Sequence, residues 1–220
     1  MIIKAKNISK QFNDLKVLDC INLNIEANEI VSIYGASGSG KTTLLNLLGL
    51  LDLPTSGEIH YFNKMSYDNY TSFERVKTIG YIFQFHHLLE EFNIIDNLII
   101  PQLLSGKNQK ESTNYAIDLL KLINLEKLQD RYPNEISGGE RQRIAVLRGV
   151  INKPKIVFAD EPTGNLDDNN SSSILKLLLK LKNDFNISFI IGTHDKQVTK
   201  ISDKSFYIKN GRLEINKIGS

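Results

Sequence analysis

The sequence predicts an α/β protein of one domain, 1–220, built on a mostly parallel core sheet. The first observation is that apolar, strand-like runs alternate along the chain with helical patterns, an order typical of a parallel sheet covered by helices. The second is that a buried strand at 29–34 leads through a glycine-rich loop into a leucine-rich helix at 41–51. The third is a mainly helical stretch at 85–140, which predicts a helical subdomain inserted within the domain.

The strands follow from their composition and period. Residues 2–7 and 21–25 alternate apolar and polar side chains, as half-exposed strands do, and we expect them to form an N-terminal antiparallel β-subdomain. The runs 29–34 and 155–160 are more apolar, which indicates buried strands. Further strands are predicted at 58–62, 79–84 and 187–192, with a hairpin over 206–215 that turns at Asn210-Gly211.

The helices follow from a period near 3.6 residues. The clearest covers 171–184, where leucines recur on one face. Pro54 and Gly57 end the unit that contains the 41–51 helix, because both residues favour turns. Three more helices are predicted, at 93–105, 112–124 and 137–151.

The composition is that of an ordinary globular protein. The chain of 220 residues is 41% hydrophobic and 24% charged, which excludes a disordered chain, a collagen-like chain and a disulfide scaffold. The net charge of +2 gives no bulk basic field, so we expect no nucleic-acid partner. A single cysteine, Cys20, indicates a reducing compartment. No apolar run approaches the roughly 18–20 residues of a spanning helix, although docking onto a membrane protein stays possible.

A phosphate-binding loop stands between the strand at 29–34 and the helix that follows it. The segment 35–42 matches the pattern G-x-x-x-x-G-K-[ST] in the required context. Its glycines allow successive N–H groups to point at phosphate oxygens, and the helix N-terminus adds partial positive charge. Lys41 supplies a full charge for the β and γ phosphates, and the Thr42 hydroxyl is placed to bind Mg²⁺. The loop alone predicts nucleotide binding, without saying what the nucleotide drives.

Two carboxylates end the apolar strand at 155–160. Ligands of an open parallel sheet bind beyond the carboxyl ends of its strands, so Asp160 is expected to hold Mg²⁺. Glu161 follows it and would face the γ phosphate, where it can orient or deprotonate water. Alone, such a pair is more typical of a solvated loop; the phosphate loop is what gives it a function.

A second glycine-rich helix start lies at 136–143. Ser137 and Glu140 form the pattern of a capping box, which is a purely structural explanation. It leaves Gly138 and Gly139 unexplained, since glycine costs about 1 kcal/mol relative to alanine in a helix interior. A backbone exposed by glycine at a helix N-terminus can bind an anion. Because the chain already has one phosphate loop, we expect this second site to act on the ATP of another subunit.

Together these motifs resemble the ATPase subunits of ABC transporters over residues 2–215. The resemblance implies a P-loop NTPase fold of the ABC type. It implies ATP and Mg²⁺ as cofactors, with Gln84 sensing Mg²⁺ and the attacking water, Glu161 as the catalytic glutamate and His194 at the γ phosphate. The metal ligands it implies are Thr42, Gln84 and Asp160. The nucleotide-binding residues it implies are Phe12, at the adenine, with Gly35, Ala36, Ser37, Gly38, Ser39, Gly40, Lys41, Thr42, Thr43, Ser137, Gly138, Gly139, Glu140 and Asp167.

The same resemblance implies partners and a location. A second copy of the chain would form an ATP-dependent head-to-tail dimer, with ATP between the phosphate loop of one copy and 137–139 of the other. Membrane permease subunits would dock on a groove near 86–92, with Phe85, Leu88, Leu89 and Phe92 as apolar contacts. The chain would then be peripheral, at the cytoplasmic face of a bacterial inner membrane.

Two motifs depart from the commonest family patterns. The signature reads ISGGE rather than LSGGQ, and Glu140 can still cap its helix. The loop at 164–167 reads GNLD rather than SALD, and it keeps Asp167, the residue expected to matter across the dimer interface.

Within the family, the segments 49–57, 84–89, 137–143 and 160–167 are similar to the ATPases of lipoprotein-releasing systems. MacB-type exporters and the FtsE-type ATPases of cell division belong to the same group and stay as alternatives; Phe85 favours lipoprotein release. Soluble ABC ATPases of DNA repair or ribosomes are disfavoured, because the sequence has no long coiled-coil insert, zinc motif or fused second cassette. A P-loop kinase or GTPase would leave the segment 136–143 without a role.

Overall fold

The structure is a computed structural model that describes residues 1–62, 64–65 and 70–215. Its strands are β1 (Ile3–Phe12), β2 (Leu15–Ile25), β3 (Ile30–Tyr34), β4 (Ser56–Tyr61), β5 (Lys64–Met65), β6 (Ile79–Ile82), β7 (Ile156–Asp160), β8 (Ser188–Thr193), β9 (Lys204–Lys209) and β10 (Arg212–Ile215). Its α-helices are α1 (Lys41–Leu48), α2 (Ser72–Thr78), α3 (Ile94–Leu104), α4 (Gln109–Leu122), α5 (Gly138–Val150), α6 (Asp168–Phe185) and α7 (Lys196–Ile201). Short 3₁₀ turns cover Glu126–Leu128 and Pro133–Glu135.

The strands form two sheets, and the α/β fold class is confirmed. The larger sheet has the order β10-β9-β3-β8-β7-β6, and its strands are parallel except for the β9–β10 hairpin. The smaller sheet has the order β2-β1-β4-β5 and is antiparallel, as expected for the N-terminal β-subdomain. Strand β3 lies between β8 and β9, so the loop that follows β3 starts near the middle of the larger sheet.

Helix α1 packs in the apolar layer between the two sheets. Leu44, Leu47 and Leu48 are fully buried there, together with Tyr61 of the smaller sheet. Helix α6 covers the opposite face of the larger sheet, where Leu178 joins a second core. These layers fix the start of α1 at the carboxyl edge of the parallel strands.

The two sheets are also joined by a polar contact between β2 and β10. The guanidinium of Arg212 donates from Nε and Nη2 to Asp19 Oδ2, at 3.0 and 2.7 Å. Lys16 pairs with the other carboxylate oxygen, and the backbone N–H of Asp19 donates to the Gly211 carbonyl. The hydrogen bonds from Lys16 and then Arg212 lower the pKa of Asp19 to about 2.

Helices α3, α4 and α5 share a core of their own. Leu98, Leu120 and Ile144 are fully buried within it. Helices α3 and α4 lie in the stretch where the sequence predicts an inserted subdomain. In the part of the chain that the structure describes, no helix combines the length and the apolar character that crossing a bilayer requires.

Several element boundaries differ from the sequence prediction for local reasons. Helix α1 ends at Leu48 rather than at 51, because Gly49 caps it and Leu50 has a left-handed backbone with φ 60°. Helix α4 begins at Gln109 because the Asn108 side chain accepts from the N–H groups of its first turn. Helix α6 begins three residues earlier than predicted, since Asp167 caps it. Helices α2 and α7 are too short to give a clear period and were not predicted.

Candidate nucleotide and metal site

A cavity of about 290 Å³ opens at the carboxyl ends of β3, β7 and β8. It has polar and charged walls, and it brings together most of the side chains that the motifs single out. The lining residues are Val17, Ser37, Gly38, Gly40, Lys41, Thr42, Thr43, Gln84, Asp160, Glu161 and His194. All but Val17 are predicted site residues; Val17, an apolar position on β2, was missed because nothing in its local sequence points to a ligand.

The loop from 35 to 42 has the backbone that phosphate binding needs. Gly38 and Gly40 have φ values of 75° and 102°, which side-chain-bearing residues rarely adopt. Gly40 precedes α1, and no side chain caps that helix. The N–H groups of its first turn therefore have no side-chain acceptor and are available to a ligand in the cavity. A helix start of this kind attracts anions.

Lys41 is nearly buried beneath this loop. Its Nζ donates to the carbonyls of Gly35 and Ala36 at 2.9 and 3.0 Å. The same atom lies 3.6 Å from Oε1 of Glu161. The ammonium group is therefore fixed at the floor of the cavity by acceptors on two sides, beside the acidic end of β7.

Asp160 has one carboxylate oxygen bound and one without a partner. The Thr42 hydroxyl donates to Oδ2 at 2.7 Å. Oδ1 is buried and has no hydrogen-bond partner among the described residues. Burial raises the pKa of this carboxyl, with a further rise from the Glu161 charge, against the lowering effects of Thr42 and Lys41. An unpaired buried carboxylate oxygen is costly unless a cation satisfies it. Carboxylate, hydroxyl and amide oxygens are the donor set that Mg²⁺ prefers, so Asp160, Thr42 and Gln84 fit this ion.

Glu161 is held in a strained and enclosed position. Its φ of 45° is left-handed, a conformation that costs a non-glycine residue on the order of 1 kcal/mol, and its N–H donates to the Gly192 carbonyl. Carboxylate Oε1 lies 2.9 Å from Nδ1 of His194. Oε2 accepts from the Thr193 hydroxyl at 3.2 Å and from the His194 N–H at 3.3 Å. The carboxylate is thus surrounded by donors, and its Oε1 side faces the cavity.

Gln84 and His194 stand at the rim of the cavity. Gln84 follows β6 by two residues and is exposed, with its side chain among the lining groups. The His194 side chain is 63% exposed even though its Nδ1 contacts Glu161. Both can therefore reach a ligand that enters from solvent.

Nine predicted nucleotide-binding residues lie outside the cavity lining. Three of them, Gly35, Ala36 and Ser39, belong to the phosphate loop itself, and the other six lie in other segments of the chain. These six are Phe12, Ser137, Gly138, Gly139, Glu140 and Asp167. The Phe12 ring is 47% exposed and carries the Lys10 ammonium 4.9 Å from its centroid. Asp167 caps α6 by accepting from the Asn170 N–H at 2.8 Å, and this bond lowers the pKa of its carboxyl. None of these six residues lines the cavity of its own chain.

The helix start at Ser137 has the expected capping box. The Glu140 N–H donates to Ser137 Oγ at 3.3 Å, and the Ser137 N–H donates back to Glu140 Oε2 at 2.8 Å. The two glycines between them differ in their surroundings. A Cβ on Gly139 would collide with the amide of Asn170, whereas a Cβ on Gly138 would meet no atom within 4 Å outside its own helix. Packing therefore explains the glycine at 139 and leaves the one at 138 unexplained within the chain.

A second, more apolar cavity of about 380 Å³ lies between β6 and α3. Among its lining residues are Tyr81, Phe83, His87, Pro101 and Leu104. It borders the segment 86–92 that the sequence indicates as a docking groove.

One expected contact of that groove is wrong. Phe85, Leu89 and Phe92 are exposed, at 63%, 43% and 44%. Leu88 is only 6% exposed and packs in the core of α3, α4 and α5. The reason is that the Leu88 side chain turns inward where the loop is tied down, since Asn97 accepts from the Leu89 N–H and donates to the Leu89 carbonyl. On the outer side, Arg148 of α5 donates to the carbonyls of His86 and His87.

The comparisons with known proteins agree with this geometry. The family model described as ABC transporter matches residues 18–164. The lipoprotein-releasing system ATP-binding protein LolD of Blochmanniella floridana is 45% identical over 99% of this chain and 95% of its own length. LolD of Rickettsia bellii is 42% identical over 98% of both chains. The dimeric ATP-binding cassette MJ0796, solved in a post-hydrolysis state with ADP and Pi, superposes with a TM-score of 0.88 at 33% identity and covers 100% of both chains.

The match extends over more than half of the sequence, the fold agrees over its whole length, and the cavity carries the phosphate loop and acidic strand end of an NTPase. The chain belongs to the ABC transporter family, as an ATP-binding and ATP-hydrolysing member.

Proposed function

We propose that this chain is the ATPase subunit of a bacterial lipoprotein-releasing transporter. The proposal is supported by near full-length similarity to LolD proteins, together with the phosphate loop and carboxylates of the 290 Å³ cavity. The proposal that the chain hydrolyses ATP through Glu161 rests on the position of this carboxylate, which is buried and faces the cavity beside Lys41. The LolD names of these relatives favour this function over that of a MacB-type exporter or an FtsE-type ATPase.

In this proposal the phosphate chain of ATP lies along the loop from 35 to 43. Backbone N–H groups from Gly35, Ala36, Ser37, Gly38, Ser39 and Gly40, the Lys41 ammonium and the hydroxyls of Thr42 and Thr43 would contact its oxygens. The left-handed glycines and the uncapped start of α1 support this arrangement. The ring of Phe12, which is half exposed, would stack on adenine.

Thr42, Gln84 and Asp160 would hold Mg²⁺. The unpaired Oδ1 of Asp160 supports that assignment. When bound, Mg²⁺ would supply positive charge that neutralises the negative charge developing on the phosphate groups. The protein would contribute oxygen ligands on one side of the cavity, where the Thr42 hydroxyl already donates to Asp160.

Glu161 would orient and deprotonate the water that attacks the γ phosphate. Its position one residue after Asp160, in the lining of the cavity beside Lys41, supports this role. His194 would contact the γ phosphate and the same carboxylate, and Gln84 would contact the water from the opposite rim.

A second copy of the chain would complete the site. Ser137, Gly138, Gly139, Glu140 and Asp167 lie away from the cavity of their own chain, which suits residues that act on the nucleotide of a partner. The open space at Gly138 supports close approach of a phosphate there. MJ0796, which is similar in fold over the whole chain, is dimeric with ADP and Pi bound. We therefore infer an ATP-dependent head-to-tail homodimer.

Membrane permease subunits would dock on the 380 Å³ apolar cavity and the adjoining segment 86–92. Exposed Phe85, Leu89 and Phe92 support an apolar partner, such as a short helix. The ATPase would then be peripheral at the cytoplasmic face of the inner membrane, without a nucleic-acid partner. It would work as one domain, 1–220, in which the helical subdomain 85–140 transmits movement between the groove and the nucleotide.

The test is Glu161→Gln, assayed with Glu111→Gln as a matched control on the exposed surface, outside the cavity and the segment 86–92. The Glu161 variant is expected to bind ATP with unchanged affinity, to hydrolyse it at least a hundredfold more slowly, and to elute as an ATP-bound dimer in gel filtration. The control should behave as the parent chain. Near-normal turnover in Glu161→Gln would overturn the hydrolytic role assigned to this residue.

A further inference from the structure

Thr193, the last residue of β8, has a hydroxyl whose hydrogen is directed at Glu161. Its side chain is fully buried, and its Oγ1 accepts from the Asp195 N–H at 2.9 Å. A hydroxyl has a single hydrogen to donate. Among the described residues, the acceptor in reach is Oε2 of Glu161, at 3.2 Å, and an ionised carboxylate only accepts. The geometry therefore assigns a Thr193 O–H donor to this oxygen.

The two oxygens of the Glu161 carboxylate consequently have different surroundings. Oε2 is held on the protein side by the Thr193 hydroxyl and, at 3.3 Å, by the His194 N–H. Oε1 faces the cavity, 2.9 Å from Nδ1 of His194 and 3.6 Å from Nζ of Lys41. A carboxylate free to rotate would exchange these oxygens, whereas one held at Oε2 presents Oε1 constantly to the cavity.

The Thr193 hydroxyl is itself fixed by a short ring of contacts. Asp195, whose N–H donates to Thr193, accepts at Oδ2 from the Thr163 hydroxyl, 3.1 Å away. Thr163 lies two residues after Glu161 and is nearly buried. The ring thus runs from Glu161 through Thr193 and Asp195 to Thr163 and returns to the turn that carries Glu161. It ties the end of β8 to that turn on the side away from the cavity.

We propose that Thr193 is a positioning residue for hydrolysis, which fixes the Glu161 carboxylate so that Oε1 meets the attacking water. This inference rests on the proposed role of Glu161. Thr193 does not line the cavity, so it acts on the carboxylate and not on the nucleotide. It should therefore affect turnover and leave ATP affinity unchanged.

The experiment compares Thr193→Val, which keeps the shape and removes the hydroxyl, with Thr193→Ser, which keeps the hydroxyl. A hydrogen bond to a charged group corresponds to about a 10- to 100-fold effect. We expect Thr193→Val to lower kcat by about that factor in the full chain, with the KM for ATP within about twofold. Thr193→Ser should return kcat to within about threefold of the parent.

Thr199→Val serves as the matched control, because Thr199 is a partly exposed threonine of α7 that lies outside the ring and the cavity and donates only to the Lys196 carbonyl of its own helix. It should leave kcat and KM unchanged. Thermal melting and ATP titration of every variant show that the fold is intact. If Thr193→Val fails to fold, Thr193→Ala replaces it with the same expectations.

Three results would overturn the inference: an unchanged kcat without the hydroxyl, a serine variant as slow as the valine variant, or a loss that appears in KM rather than in kcat. The outcome for Glu161→Gln separates the two proposals. If that variant is inactive and Thr193→Val is fully active, only the role of Thr193 fails. If Glu161→Gln still turns over, the proposed base itself is wrong.

Discussion

The side-chain amide of Asn170 occupies the space in which a Cβ on Gly139 would stand. Asn170 also donates from Nδ2 to Oδ2 of Asp167 at 2.7 Å and lies 3.4 Å from the Arg143 guanidinium. The start of α5 and the start of α6 are therefore packed against each other through one asparagine. A change at Gly139 has to move Asn170, and with it the cap that Asp167 provides.

This contact predicts opposite outcomes for two neighbouring glycines. Gly139→Ala should displace Asn170 and lower the thermal midpoint of the free chain. Gly138→Ala should leave that midpoint unchanged or raise it, since alanine is about 1 kcal/mol more favourable than glycine within a helix. In the Glu161→Gln background, Gly138→Ala should nevertheless weaken the ATP-dependent dimer seen by gel filtration. A normal dimer in that variant would contradict a role for Gly138 across the interface.

Lys41→Ala is expected to lower ATP affinity by at least tenfold. The substitution removes the full positive charge at the floor of the cavity, where the β and γ phosphates are proposed to lie. Isothermal titration calorimetry of the variant measures the effect, with Lys200→Ala on the exposed face of α7 as the control. Equal affinities for the parent and the Lys41 variant would argue against the phosphate loop.

The docking groove is tested by Phe85→Ser combined with His87→Asp. Both side chains are exposed beside the apolar cavity, so the free subunit should keep its fold and its ATPase activity. A carboxylate left unpaired in the interface costs a few kcal/mol, and partner occupancy should fall about a hundredfold in a pull-down with the membrane subunits. Leu53→Ser, at another exposed leucine, is the control. Normal capture of the double variant would place the docking surface elsewhere.

A substitution of Leu88 should affect stability rather than docking, because its side chain is buried. Leu88→Ser should lower the free energy of unfolding by about 2–5 kcal/mol, as removal of a core leucine does, with an added cost for the buried hydroxyl. Urea denaturation of the free subunit measures this directly. A loss of transport in this variant would reflect the helical core and could not be assigned to docking.

Acid should weaken the contact between the two sheets. The pKa of Asp19 is lowered to about 2 by Lys16 and Arg212, against about 3.9 in an unfolded chain. A depressed carboxyl pKa contributes stability above the unfolded value, and this contribution is lost as the pH falls from about 4 towards 2. Asp19→Asn should therefore lower the urea midpoint at pH 6 and have no effect near pH 2. If the urea midpoints of the parent and Asp19→Asn differ by the same amount at pH 6 and pH 2, the result would contradict the ion pair.

Sequence motifs predicted most of the lining residues of the cavity because each of them stands at the end of a parallel strand or in the segment that follows it. Lys41, Asp160 and His194 stand near the carboxyl ends of β3, β7 and β8, and parallel strands bring such ends to one edge. Thr193 was missed because a threonine at a strand end is an ordinary residue until its distance to Glu161 is known. Leu88 was assigned to the surface because the sequence of a loop does not tell which side chain turns inward. The contact between Asn170 and Gly139 was missed because it depends on how α5 and α6 pack together, and no local sequence pattern shows this packing.

The order of the larger sheet constrains how the protein is made. Strand β3, which leads into the phosphate loop, has β8 and β9 as its neighbours, and these end at Thr193 and Lys209. The phosphate loop is complete once residue 42 has been synthesised. The two strands that flank β3 are complete only after residues 193 and 209. Pairing over such a separation is slow and leaves apolar strands exposed meanwhile. We therefore expect nucleotide binding only after β8 and β9 have been synthesised, and a chain truncated before β9 would lack one of the two strands that pair with β3.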